Sequence, residues 1–130
     1  MVNSKSKAHC IFCELPPDRI IASGSSCVVI RDAYPVTPEH VLIISKRHVA
    51  DYFRLTKTEM NDLHRMVRRQ QSRIKREDPS VTGFNIGVNS GLSAGQTIFH
   101  VHIHLIPRRD GDVVEPRGGV RGVIPSRQQY

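Results

Sequence analysis

Three histidines alternate with aliphatic residues near the end of this sequence, in the segment His100-Val101-His102-Ile103-His104-Leu105. Residues two apart point to the same face of a β-strand, whereas an α-helix would spread them around its axis. The pattern therefore predicts a strand with three imidazoles on one face and aliphatic side chains on the other. A row of imidazoles can attack phosphorus, transfer protons or bind a metal, so this strand is also the first candidate site.

The size of the chain indicates one domain. It has 130 residues, of which 38% are hydrophobic, enough for one core and too few for two ordinary domains. We therefore expect a single domain over residues 1–130. Residues 1–8 are polar and are expected to form a flexible arm rather than a secretory signal. Residues 110–130 are rich in Gly, Pro and Arg and are expected to form an extended tail. No segment resembles a membrane span.

Charge and cysteine content narrow the possible partners. The net charge of +7 favours anionic ligands such as nucleotides and polyphosphates. Aromatic residues make up only 5% of the chain and tryptophan is absent, so the stacking platforms of single-stranded nucleic-acid binding are scarce. We therefore do not expect nucleic acid as the partner. Three cysteines do not make a disulfide framework, which predicts a cytoplasmic protein with reduced thiols.

The apolar runs predict the order of the elements. Strands are expected at residues 19–22, 26–31, 40–45 and 83–89 and along the histidine segment. The run at 40–45 is so apolar that we place it centrally in the sheet. Thr56 and Glu59 have the spacing of a capping box, and Asp78-Pro79 would end the long helix that this box opens. The sequence thus predicts an α+β fold, with an antiparallel sheet of about five strands, one long helix and a short helix.

A loop of small residues precedes the histidine strand at residues 90–95. Its glycines can expose backbone N–H groups that hold an anion, and the neighbouring Asn89, Gln96 and Thr97 add neutral donors. Such donors suit phosphoryl transfer, in which charge spreads over the phosphate oxygens. Binding of zinc or iron by the histidine row is the alternative chemistry.

These features resemble the histidine triad (HIT) family of nucleotide hydrolases and transferases, whose signature alternates three histidines with apolar residues. The resemblance extends upstream to the nucleoside-binding segment of that family. Here Asp32 and His40 bound a loop that contains two prolines, and an apolar run and His48 follow. The resemblance covers about residues 10–110, and the zinc-containing, bacterial-type branch is the most similar.

The resemblance implies a role for each candidate residue. His102 would attack the α-phosphorus and form a covalent nucleotidyl intermediate, from which water releases a nucleoside monophosphate. The other catalytic residues would be His104, His40 and Gln96. Substrate contacts would come from Asp32 at the ribose and, at the phosphate, from Asn89, Gln96, Thr97, His102 and His104.

The resemblance also implies a class of substrate. It would be a purine nucleotide derivative, either a dinucleoside polyphosphate or a nucleotide phosphoramidate. Two alternatives stay open: a nucleotidyltransferase or phosphorylase that uses phosphate as the acceptor, and a nucleotide-binding module without catalysis.

The pair Cys10-x-x-Cys13 is ambiguous by itself, because a redox pair, a metal knuckle and two buried small side chains all fit it. The resemblance implies a closed structural zinc site made by Cys10, Cys13, His48 and His100. His9 is a second candidate for the fourth ligand. The resemblance further implies a homodimer.

Overall fold

A five-stranded antiparallel sheet carries the fold in the computed structural model, which describes residues 9–130. The strands are β1 (Ile20–Ser23), β2 (Cys27–Arg31), β3 (Val41–Ser45), β4 (Val81–Gly87) and β5 (His102–Arg109). Their order across the sheet is β1-β2-β3-β5-β4, and all neighbours are antiparallel. The predicted α+β class is thus confirmed, whereas the predicted arm at residues 1–8 lies outside the described residues.

Strand β3 lies at the centre of the sheet, as its composition predicted. All five of its residues are buried, and it pairs with β2 on one side and β5 on the other. Val41 and Ile43 belong to the core beneath the long helix, whereas Leu42 and Ile44 pack on the opposite face. Burial on both faces explains why this strand has no polar alternation.

The long helix α1 spans Lys57–Glu77 and begins at the predicted capping box. The Thr56 hydroxyl accepts from the Glu59 N–H at 3.1 Å, and the Glu59 carboxylate accepts from the Thr56 N–H at 2.9 Å. Glu59 also binds the Arg47 guanidinium at 2.7 Å. These bonds, led by the one from Arg47, lower the pKa of Glu59 to about 2. The start of the helix is thereby tied to the segment that follows β3.

We expect replacement of Thr56 by alanine to lower the free energy of unfolding by about 1 kcal/mol, because one capping bond is lost. Thr58→Ala is the matched control, since Thr58 is an exposed threonine two residues further on, inside the helix. Urea denaturation followed by circular dichroism measures both variants. Equal stability of the two would contradict the role of the cap.

Several element boundaries differ from the predicted ones. Strand β5 begins at His102, so the prediction of one continuous strand through all three histidines is wrong for His100. The reason is local pairing, because the Val101 N–H donates to the Val49 carbonyl, which lies beyond the end of β3. Strand β4 lies two residues earlier than the predicted 83–89. The predicted short helix occurs as short 3-10 turns, such as Tyr52–Arg54.

The C-terminal tail folds back beside β4. It contains two 3-10 helices, Gly119–Val123 and Pro125–Arg127, and neither has a buried residue. The guanidinium carbons of Arg117 and Arg121 lie 4.6 and 5.0 Å from the ring centroid of Tyr130. Within residues 9–130, no helix has both the length and the apolar character needed to cross a bilayer.

Candidate active site and metal centre

The candidate active site lies on the face of the sheet that points away from α1. His102 and His104 project from β5 on this face, directly across from Ile44 and Leu42 of β3. A cavity of about 260 Å³ opens beside them. Its apolar wall includes Ile11, Phe12, Ile30, Leu42 and Ile98, and its polar lining includes Asp32, Asn89, Gln96, Thr97, His102 and His104. The predicted substrate contacts therefore surround one cavity.

One hydrogen bond fixes the tautomer of the His102 ring. Its Nδ1 lies 2.8 Å from the backbone carbonyl oxygen of His100. A carbonyl only accepts, so Nδ1 carries the proton and donates, which leaves the lone pair of the neutral ring on Nε2. Burial lowers the pKa of His102 against the opposing effect of this bond. The ring is therefore a neutral imidazole with one available nucleophilic nitrogen.

A second chain of hydrogen bonds orients His104. The Val36 N–H donates to His40 Nδ1 at 3.0 Å, so the neutral His40 ring carries its proton on Nε2. That Nε2–H donates to His104 Nδ1, also at 3.0 Å. The proton of His104 is thereby directed to its Nε2, where it is available as a donor to a phosphate oxygen. This order of donors gives His40 a positioning role behind His104.

Burial keeps the His40 and His104 rings neutral. His40 is 2% exposed, and its burial lowers its pKa although the nearby Asp32 opposes the shift. Burial, followed by the neighbouring His102 and His40, lowers the pKa of His104 to about 4. At neutral pH His104 is therefore a neutral hydrogen-bond donor and not a cation.

We expect the His104 ring to titrate near pH 4 in the folded protein. The unfolded chain takes up this proton near pH 6.5, so its proton binding exceeds that of the folded chain between these values. The free energy of unfolding should therefore fall as the pH drops from about 6.5 to about 4, and the titration of this group should lower it no further below pH 4. Ring ¹⁵N chemical shifts measured against pH test the assignment, and a midpoint near 6.5 would contradict it.

Asp32 lies at the junction between the cavity and the histidine chain. Its Oδ1 accepts from the Tyr34 N–H at 2.8 Å, and its Oδ2 lies 3.5 Å from His40 Nε2 and 4.0 Å from His104 Nδ1. A carboxylate only accepts hydrogen bonds, and each of its oxygens can accept more than one. The geometry therefore suits the contact to the ribose hydroxyls that the resemblance implies for Asp32.

Gln96 differs in detail from its predicted role. The side chain is 2% exposed, and its Oε1 accepts from the Gly91 N–H at 2.8 Å. Its Nε2 donates to the carbonyls of Ala50 at 2.6 Å and Ile98 at 3.2 Å. Every donor of this amide is therefore engaged with backbone, and the side chain closes the small-residue loop instead of presenting a donor to phosphate.

Two glycines shape the same loop. Gly91 and Gly95 have φ angles of 95° and 90°, in the region that side chains rarely adopt. Between them the chain forms the 3-10 turn Leu92–Ala94 and then delivers the exposed Thr97 to the cavity. Asn89, on the other side of the loop, also lines the cavity and is exposed. Thr97 and Asn89 are thus the exposed neutral donors that this loop places beside the cavity.

Cys10, Cys13, His48 and His100 converge on one point. Their ligand atoms all lie within 4.8 Å of one another. The Cys10 Sγ lies 3.4 Å from His100 Nδ1, the Cys13 Sγ lies 3.2 Å from His48 Nδ1, and the two Nδ1 atoms are 3.3 Å apart. Zinc with sulfur ligands at about 2.3 Å and nitrogen ligands at about 2.0 Å requires ligand separations of about 3.3–3.8 Å. The four residues therefore fit tetrahedral zinc.

A hydrogen bond beyond this cluster prepares His100 as a ligand. Its Nε2–H donates to the Ser45 carbonyl at 2.6 Å, so its Nδ1 presents a lone pair to the cluster. Burial lowers the pKa of His100 and keeps the ring neutral. His9 is exposed and lies outside the cluster formed within residues 9–130. Of the two candidates for the fourth position, His100 is therefore the one that the fold supplies.

His100 links the two sites. Its ring belongs to the metal-type cluster, and its backbone carbonyl holds the Nδ1–H of His102. Phe12, two residues after Cys10, lies edge-on to His102 with the ring centroids 5.0 Å apart.

The sequence did not predict the backbone groups of Val36 and Ser45 that fix the tautomers of His40 and His100. Backbone donors and acceptors are present at nearly every residue, so residue types do not indicate which of them will bind a side chain.

Comparison with known proteins identifies the family. The HIT domain model matches residues 15–111. The bis(5′-nucleosyl)-tetraphosphatase of Schizosaccharomyces pombe is 43% identical over 81 residues, which are 62% of this chain and 44% of that protein. This chain thus matches less than half of the length of that relative.

Two further relatives match over most of their length. An adenosine 5′-monophosphoramidase of Candida albicans is 33% identical over 113 residues, which cover 81% of this chain and 74% of that protein. A zinc-bound histidine triad protein from Mycobacterium smegmatis superimposes with a TM-score of 0.73 at 31% identity, covering 85% of this chain and 82% of that structure. The chain belongs to the histidine triad (HIT) family.

Proposed function

We propose that this chain is a nucleotide hydrolase that acts on the α-phosphate of dinucleoside polyphosphates or nucleotide phosphoramidates. The observation that carries the proposal is the His102 ring, whose Nδ1–H is held by the His100 carbonyl so that Nε2 presents its lone pair beside the cavity. The reaction would proceed through a covalent nucleotidyl-His102 intermediate and release a nucleoside monophosphate.

In the first step, the Nε2 lone pair attacks the α-phosphorus and forms a P–N bond. The bond between phosphorus and the leaving group breaks, and the leaving group takes its electron pair. A phosphate chain departs as an oxyanion, and an amine takes up one proton as it departs. The positive charge that develops on the His102 ring is stabilised by the bond from Nδ1–H to the His100 carbonyl.

In the second step, water attacks the phosphorus and the P–Nε2 bond breaks. Its electron pair returns to the imidazole, and the water loses a proton that balances the one taken by an amine leaving group. The His104 Nε2–H, together with Thr97 and Asn89, would hold the phosphate oxygens, whose charge grows in both steps. Asp32 would accept from the ribose hydroxyls, and the apolar wall would contact the base.

The relatives support the two substrate types. One is named as a bis(5′-nucleosyl)-tetraphosphatase and another as an adenosine 5′-monophosphoramidase, and both names describe cleavage of a bond to a nucleotide phosphate. A product assay tests the proposal with diadenosine tetraphosphate and adenosine phosphoramidate, each with and without added phosphate. AMP as the product supports hydrolysis, and ADP formed from added phosphate would indicate a phosphorylase. Tight AMP binding without turnover would indicate a binding module.

We infer that Cys10, Cys13, His48 and His100 hold a structural zinc ion. The thiol and imidazole donors and their separations fit zinc. The existence of a zinc-bound relative from Mycobacterium smegmatis also supports this inference. A closed four-ligand site supplies fixed geometry and no open position for substrate. Its function here would be to tie the segment around Cys10 to the sheet and to hold the His100 carbonyl in place for His102.

We also infer a homodimer. Strand β4 is an edge strand, and the groove between it and α1 is largely apolar, with Tyr52, Val67, Ile86, Val88 and Ile103 in its lining. Ile86 is 54% exposed in the single chain. Light scattering during size-exclusion chromatography should give twice the chain mass, and Ile86→Glu should halve it. A monomer mass for the unsubstituted chain would contradict the inference.

A further inference from the structure

A second, larger cavity adjoins the active site on its far side. It has a volume of about 950 Å³ and shares Asp32, Tyr34, Asn89 and His104 with the smaller cavity beside His102. The two cavities thus meet at the position where a reacting phosphate would lie. If the nucleoside occupies the smaller cavity with its apolar wall, the group leaving the phosphorus departs into the larger one.

The C-terminal tail forms the outer wall of this second cavity. Several tail residues between Val113 and Gln128, among them Glu115, Val120 and Val123, line it together with residues of β4 and β5. The tail contributes apolar side chains that are exposed in the single chain, with Val113 at 46%, Val120 at 61% and Val123 at 78% exposure. These valines line the cavity, so they offer apolar contact to a bound group.

The charges of the lining are mainly negative. Asp32, Asp112 and Glu115 contribute three carboxylates, and Arg108 is the only lysine or arginine among the described residues that line the cavity. Its guanidinium is already engaged. Nε and Nη2 each donate to Asp112 at 2.8 Å, and Nη1 donates to Asn85 at 2.7 Å. The cavity therefore offers no unpaired cation to a second phosphate chain.

We propose that this tail-walled cavity is a leaving-group subsite for amines with an apolar body, neutral or cationic, and that it disfavours anionic leaving groups. The inference rests on the proposed function and selects nucleotide phosphoramidates over dinucleoside polyphosphates as its substrates. Asp112 is a specificity residue in two ways, because it adds negative charge and also neutralises Arg108. Glu115 adds negative charge alone.

The test uses three adenosine phosphoramidates that differ only in the far end of a six-carbon amine. Their amines are hexylamine, 1,6-diaminohexane and 6-aminohexanoate, which present a methyl, an ammonium and a carboxylate. Dissociation constants are measured by calorimetry on His102→Ala, so that the subsite is read without turnover. We expect the ammonium compound to bind about tenfold more tightly than the carboxylate compound at low salt, because one unit charge changes sign near the carboxylates.

Three substitutions, each combined with His102→Ala, locate the effect. Asp112→Asn releases Arg108 from its carboxylate partner and should raise the relative affinity for the carboxylate compound. Glu115→Gln should reduce the discrimination without inverting it. Glu77→Gln removes a carboxylate on α1 that pairs with Arg73 at 2.8 Å and does not line this cavity, and it should leave the discrimination unchanged.

Equal affinity for the three compounds, or tighter binding of the carboxylate compound, would overturn the subsite. The proposed function fails by a different result, namely the absence of AMP release by the unsubstituted protein from all three compounds and from diadenosine tetraphosphate. The binding series on His102→Ala still decides the subsite in that case.

Discussion

Replacement of His102 by alanine is expected to reduce AMP release by at least about 1000-fold, since the nucleophile is removed and the remaining donors only position the phosphate. AMP binding should persist, because Asp32, Thr97 and Asn89 and the apolar wall are retained. Single-turnover assays and calorimetry measure the two quantities separately. The expected result is therefore a loss of kcat with little change in affinity.

His9→Ala is the matched control for this experiment. His9 is exposed, lies outside the cluster of Cys10 and takes no part in either hydrogen-bond chain of the active site. Its replacement should leave AMP release unchanged. Turnover by His102→Ala that is comparable to that of the control would exclude His102 as the nucleophile.

Replacement of Cys13 by serine is expected to abolish stoichiometric zinc binding and to lower the thermal midpoint by at least about 10 °C. The proposed zinc ligands come from three separate parts of the chain, and structural zinc contributes directly to the free energy of folding. A few kcal/mol lost from a domain of this size shifts its midpoint by this amount. Elemental analysis and calorimetry of the purified proteins measure both effects.

Cys27→Ala is the control, because it removes a cysteine outside the cluster. Burial raises the pKa of Cys27 to about 12, with a further contribution from Asp62, whose carboxylate lies 3.4 Å from the sulfur. Cys27 is therefore an inert core thiol, and the control should keep about one zinc per chain. Equal zinc content in Cys13→Ser and Cys27→Ala would contradict the metal site.

Strong local patterns allowed much of the fold to be predicted from the sequence. The capping box at Thr56 and Glu59 fixed the start of α1, and the apolar run before Ser45 identified the central strand, because each pattern has one favoured structure. The position of His100 could not be predicted in this way. It depends on pairing of Val101 with Val49 and on a bond to the Ser45 carbonyl, and both are tertiary contacts that residue types do not encode.

The candidate site shows the same division. The family resemblance pointed to His102, His104, His40 and Asp32, and the structure brings these side chains together around one cavity and its hydrogen-bond chain. The resemblance could not reveal that the Gln96 amide is hydrogen-bonded to backbone groups, because those bonds depend on how the loop closes. The second cavity could not be predicted from the sequence either, because part of its wall is the tail, which packs beside β4 only in the folded protein.

The proposed catalysis depends on a lone pair at His102 Nε2 that bonds to phosphorus, and trapping the covalent intermediate tests this most directly. The protein is mixed with an adenosine phosphoramidate, quenched within milliseconds under conditions that preserve P–N bonds, digested and mapped by mass spectrometry. The bonded nitrogen is then assigned by ³¹P–¹⁵N correlation on labelled protein. We predict one nucleotidyl group per active chain on the peptide with His102, bonded to Nε2. A nucleotidyl group on His104, or on Nδ1 of His102, would contradict the account.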